Sequence, residues 1–217
     1  MAQTAEILAE HYQKTYEQTY DFWKERNRLF LLLLGVIGVG TILTFRVSQA
    51  ESLMVDLVAR LVGVEGEDRL KELRQGFPLG VLHSIILIVV FYLMVNLYHR
   101  ALFVLRNYQY LGILEAEIRH ELKLAKESSS FTRESTFYWG NRSRLSGSVK
   151  WVYIAILGLL LLAFLGSRTH DDFCSGNILL GVVDVAISGA TLFFYFAYLR
   201  SSVSLDSAKP AVKQKER

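Results

Sequence analysis

Apolar and polar positions alternate in long blocks along this chain. Four blocks, 29–45, 77–98, 151–165 and 178–199, are almost wholly hydrophobic. A helix rises about 1.5 Å per residue, so blocks of this length cover roughly 23–33 Å, close to the hydrocarbon thickness of a bilayer. Backbone amides in lipid must be satisfied within the segment, so each block is predicted to be a helix. Core helices of a soluble protein are rarely apolar on every face. The pattern therefore predicts an all-α integral membrane protein with four transmembrane helices. The expected organisation is a leading helix 1–28, span one 29–45, an outer loop 46–76, span two 77–98 and a segment 99–150. Span three 151–165, a short outer loop 166–177, span four 178–199 and a basic tail 200–217 complete it.

Between the blocks the periodicity changes. Leu8, Tyr12, Tyr16, Tyr20 and Trp23 recur at helical spacing and form one aromatic stripe before span one. After span two, Leu102, Leu105, Tyr108, Leu111, Leu114, Ile118 and Leu122 step by three and four. Neither stretch contains proline, so both are expected to continue their spans as long helical extensions that bury their apolar faces on each other. Tyr12, Tyr16, Tyr20 and Trp23 are also the candidate stripe for a protein partner, since exposed aromatic patches mark interfaces. In the loop 46–76, Leu53, Met54, Leu57, Val58, Leu61 and Val62 share one face of an expected interfacial helix.

Charge changes the picture by setting orientation. Eighteen Lys and Arg residues fall in the leading segment, the 99–150 segment and the tail, against six in the other two loops. The positive-inside rule then predicts both termini and the long extensions on the cytoplasmic side, in a bacterial inner membrane by expectation. The polar first 28 residues make the first block an uncleaved span rather than the core of a signal peptide.

Candidate chemistry is sparse. In span four, Gly181, Asp184, Ser188, Thr191 and Tyr195 fall at steps of three and four, which gathers small and polar residues on one seam. Such a seam faces protein or a hydrated path rather than acyl chains. An ionisable residue inside a span is costly and calls for a partner. For Asp184 the candidate is His83, at similar depth in span two. Arg133, Arg142 and Arg144, near Phe137, Tyr138 and Trp139, form a candidate anion-binding loop, although an anchoring turn has the same composition. Gly35, Gly38 and Gly40 sit in mid-span without a preceding strand, so close helix packing is expected of them rather than nucleotide binding. The five histidines have no metal-ligand spacing, and the single cysteine, Cys174, allows no intramolecular disulfide. No catalytic, cofactor-binding or metal residue is predicted, and the chain is not expected to be an enzyme.

The stretches HYQKTYEQTYDFWKERNR before span one and RNYQYLGILEAEIRHEL after span two carry a resemblance of architecture. The layout resembles small multi-span membrane subunits of bacterial antiviral defence systems, among them the four-span membrane subunit of the Kiwa system. That resemblance implies an oligomeric membrane sensor that holds a cytosolic effector. The sequence thus predicts a non-enzymatic membrane subunit in contact with lipid, with its own copies and with a cytosolic protein, and without a nucleotide or nucleic acid ligand. A gated pore or membrane-permeabilising effector is the alternative, and a small proton-coupled transporter acting through Asp184 a further one.

Overall fold

The computed structural model describes residues 2–44, 56, 59–60, 63, 79–125, 128–132, 144–175 and 178–207. Among them are four long helices and no strand: α1 (Ala2–Thr44), α2 (Leu79–Glu121), α3 (Arg144–Ser175) and α4 (Ile178–Ser207). All four are long and apolar enough to cross a membrane. The first 34 residues contain no glycine or proline, so nothing in the sequence interrupts α1 between its polar and apolar halves.

The helices contribute to two compact units. The first comprises Met1–Phe30, Asn96–Ile154 and Phe194–Arg217, and the second Leu31–Val95 and Ala155–Phe193. In the first unit, Thr15 and Thr19 of α1 are buried, as are Val104, Leu105, Leu111, Leu114, Glu115 and Ile118 of α2. The threonines turn their hydroxyls back onto carbonyls one turn earlier, Thr15 to His11 at 2.8 Å and Thr19 to Thr15 at 2.7 Å. A buried donor is thereby satisfied within its own helix. Pairs between the two helices fix their register. Tyr12 donates to Glu115 at 2.9 Å, the His11 ring nitrogen meets the Tyr110 hydroxyl at 3.0 Å, and Phe22 packs on Phe103 at 4.4 Å. Arg100 pairs with Glu25 at 3.1 Å and lies over the Phe22 ring.

α2 ends in a built cap. Lys123 adopts a left-handed backbone, φ 48°, as the first residues past many helices do. The Arg119 guanidinium donates to the carbonyls of Ala125, Ser128 and Ser130 at 3.1, 2.7 and 2.6 Å. Phe131 then meets the Tyr12 ring edge-on. Elsewhere in the unit, Tyr195 of α4 donates to the Ile154 carbonyl of α3 at 3.0 Å, and Lys150 donates to the Ser202 carbonyl at 2.7 Å.

The second unit has an apolar core of Leu33, Ile37 and Leu43 from α1, Leu87, Val90, Leu93 and Met94 from α2, and Leu157, Leu161, Phe164 and Leu165 from α3. At Gly40 α1 lies close against its neighbours: a Cβ there would lie 2.7 Å from the Phe164 ring and 3.1 Å from Ile86. Gly35 and Gly38 have nothing within 4 Å of such an atom, so of the three glycines expected to permit packing only Gly40 does.

Two further expectations change, and a third lies outside the described residues. α3 does not stop at 165 but runs ten residues on to Ser175, leaving only 176–177 before α4. Gly166 alone does not break it, because one glycine costs a helix only about 1 kcal/mol. The aromatic stripe before span one is not the buried face. Tyr20 and Trp23 are exposed, while Thr15 and Thr19 are buried instead. Of the expected interfacial helix, Leu53, Met54, Leu57, Val58, Leu61 and Val62 lie outside the described residues.

Candidate functional site: a buried ion pair among the apolar helices

α4 is two-faced in a way its composition predicts. Val182, Val183, Val185, Phe193 and Phe196 are exposed, and Asp184, Ser188, Thr191 and Tyr195 are buried. The buried residues share one side because steps of three and four return to the same angle on a 3.6-residue helix. Gly181, the first residue of the seam, is half-buried. Thr191 satisfies its hydroxyl on the Ile187 carbonyl at 2.8 Å.

In the second unit the seam ends on a closed polar triangle. Asp184 Oδ2 accepts three hydrogen bonds: from Ser84 Oγ of α2 at 2.8 Å, and from Arg168 Nε and Nη2 of α3 at 3.0 and 2.6 Å. Arg168 Nη2 also donates to Ser84 Oγ at 3.2 Å, so the hydroxyl accepts from the cation and donates to the anion. The Arg168 and Asp184 side chains are 5% and 2% exposed, which makes this an ion pair with almost no access to solvent. Both guanidinium hydrogen bonds converge on one oxygen. Asp184 Oδ1 and, one turn further along α4, Ser188 Oγ are buried without a hydrogen-bond partner.

The electrostatics follow from burial. Either charge alone would be very costly in so apolar a unit, and together they form a neutral group held by charge-assisted hydrogen bonds. His83, the candidate partner of Asp184, does not hold it. His83 is buried beside Ser84 in sequence, but the hydrogen bonds to Asp184 come from Ser84 and Arg168. Counting residues explains the exchange. Arg168 lies seven residues before the end of α3 and Asp184 six after the start of α4. With the helices joined by a two-residue connection, both sit about 10 Å from the turn. Ile154, Leu157, Leu161, Leu165 and Arg168 also share one buried face of α3, a period that the sequence shows once the helix is allowed past 165.

The remaining candidate residues are dispersed. Tyr12 is taken up by Glu115 and Phe131, Tyr16 is half-buried, and Tyr20 and Trp23 stack on each other at 5.9 Å with their planes 10° apart. Arg133 and Arg142 lie outside the described residues, and Arg144 is the first residue of α3. Among the described residues no group of three or more His, Cys, Asp or Glu side chains is placed to hold a metal. The arrangement can clamp three helices together, and a change in the charge of either ionic partner would release the clamp. No protein-family model, curated protein or solved structure matches the chain.

Proposed function

We propose that this chain is a non-enzymatic, oligomeric subunit of a bacterial inner membrane. In this reading four helices span the bilayer, both termini face the cytoplasm, and the extensions of α1 and α2 present a helical surface to a cytosolic protein. One observation carries it: in the first unit the extensions satisfy each other through Tyr12–Glu115, His11–Tyr110, Phe22–Phe103 and Arg100–Glu25, yet keep Ile7, Tyr110 and Ile113 exposed. The His11–Tyr110 bond brings the last three close together, since Ile7 is one turn from His11 and Ile113 one turn from Tyr110. Tyr110 and Ile113 stand about 18–23 Å of helix beyond the apolar block that ends at 98, past the reach of lipid headgroups. The resemblance to Kiwa-type membrane subunits supports a role as a sensor that holds an effector in antiviral defence.

The test is affinity capture from membranes. Wild-type protein should retain a cytosolic partner encoded by a neighbouring gene, and Ile7→Glu with Ile113→Glu should release it while membrane insertion persists. Retention by that variant would remove the surface from the proposal. A second reading, a gated pore, draws on Asp184 Oδ1 and Ser188 Oγ, whose lack of partners suits a hydrated state of the seam. Ion conductance of the purified chain in planar bilayers, reduced in Ser188→Ala, would favour it.

A further inference from the structure

On α1, one stripe stays uncovered through both the polar and the apolar part of the helix. Tyr20, Lys24 and Arg28 follow one another at four-residue steps, and all three are exposed. At about 100° per residue they share an arc of roughly 80°. In the second unit, Leu31, Gly35, Val39 and Ile42 of the same helix are exposed as well. A Cβ at Gly35 would meet nothing within 4 Å, so the stripe has a shallow notch there. Trp23 flanks it, stacked on Tyr20, and the Lys24 ammonium lies 4.2 Å from the Tyr20 ring centroid.

The heights of the two cations are informative. Arg28 stands one residue and Lys24 five residues before the apolar block at 29–45, about 1.5 and 7.5 Å along the helix. The headgroup layer of one leaflet is roughly 5–7 Å deep, so the two charges bracket the level of the phosphates. Glu25 is engaged by Arg100, and Lys24 pairs with Asp21 at 3.4 Å through side chains that are 55% and 71% exposed, a solvent-screened contact that a phosphate can replace.

We infer that the Tyr20–Lys24–Arg28 stripe, walled by Trp23, binds the headgroup of an anionic phospholipid. Arg28 takes the phosphate by planar donor geometry, Lys24 swings from the Tyr20 ring onto the headgroup's outer oxygens, and the stacked rings shield it from water. Charge complementarity selects the occupant, and the cytoplasmic leaflet supplies it if the orientation proposed above holds. The inference rests on the apolar block 29–45 lying in a bilayer. A chain that fails to partition with membranes overturns both, whereas a membrane-bound chain without lipid preference overturns only this one.

Native mass spectrometry of the full chain in detergent, titrated with phosphatidylglycerol and phosphatidylcholine, reads the site directly. Phosphatidylglycerol should be retained preferentially, and each basic side chain should contribute about fivefold, roughly 25-fold for both. Lys24→Gln with Arg28→Gln should abolish the preference, and Lys14→Gln, some 22 Å before the apolar block, should leave it intact. Equal loss in Lys14→Gln, or an unchanged preference in the double variant, overturns the assignment. Displacement of the lipid by glycerol 3-phosphate at equal concentration would mark a site for soluble phosphates and overturn it too. So would Tyr20→Ala with Trp23→Ala releasing a cytosolic protein while lipid retention is unchanged, because the face would then be a protein interface.

Discussion

Replacing Asp184 by leucine removes the carboxylate that neutralises Arg168 and leaves a guanidinium in the apolar unit without its anion. Breaking one side of a buried ion pair costs about 3–5 kcal/mol, because the stranded charge has no solvent to turn to. Arg168→Leu strands Asp184 and should cost about the same. Replacing both removes the stranded charge, and apolar substitutes of similar volume are often neutral, so the double variant should lie far below the sum. The coupling across the cycle is then at least about 3 kcal/mol. Asp184→Asn retains shape but not charge and should behave nearly as badly as leucine. Ser84→Ala gives the scale for a neutral contribution, since interhelical hydrogen bonds in membranes average about 0.6 kcal/mol. The measurement is reversible unfolding in mixed micelles with increasing dodecyl sulfate, for wild type, both single variants and the double. A cost for Asp184→Leu no greater than that for Ser84→Ala, or strict additivity of the two single changes, would refute the clamp.

Three other outcomes can be checked with standard reagents. In a Cys174→Ser background, a cysteine at Thr4 should be shielded from an impermeant thiol reagent in intact cells and one at Phe173, which is 78% exposed, should be labelled; the reverse overturns the orientation. Gly40→Ala forces the Phe164 ring to move and should cost about 1–3 kcal/mol of overpacking, whereas Gly35→Ala, with open space around it, should be neutral or slightly stabilising in the same unfolding assay. Ser188→Leu or Thr191→Leu should lower the melting temperature in detergent through overpacking of a buried face, while Phe193→Leu on the exposed side should have little effect.

The apolar blocks were legible because lipid leaves a chain few options, and the polar face of α4 because its period is strict from Gly181 to Tyr195. Arg168 was not. Hydropathy falls at Gly166, and a fall in hydropathy predicts the end of an apolar helix. A helix, however, is held by its backbone and continues through Ser-Arg-Thr-His-Asp-Asp when nothing breaks it. The aromatic stripe divides for a different reason. A threonine that returns its hydroxyl to its own helix can be buried where a large ring is expected, leaving Tyr20 and Trp23 outside. Tyr12 makes a contact of the expected kind through Glu115, an acidic residue hidden in an otherwise apolar period.

The pairing of Arg168 with Asp184 bears on how the chain is synthesised. Only 16 residues separate the cation from its anion, so Arg168 waits little more than four helical turns of translation for the carboxylate it is buried with. Asp171 and Asp172 follow Arg168 within four residues, so Asp184 adds a buried partner rather than a balance of charge. On the proposed topology, α3 and α4 are therefore suited to enter the membrane together, as a hairpin closed by this pair rather than as two independent helices. In a translation-coupled insertion assay, chains truncated before residue 184 should hold α3 in the membrane less firmly against extraction, and extension past it should restore retention.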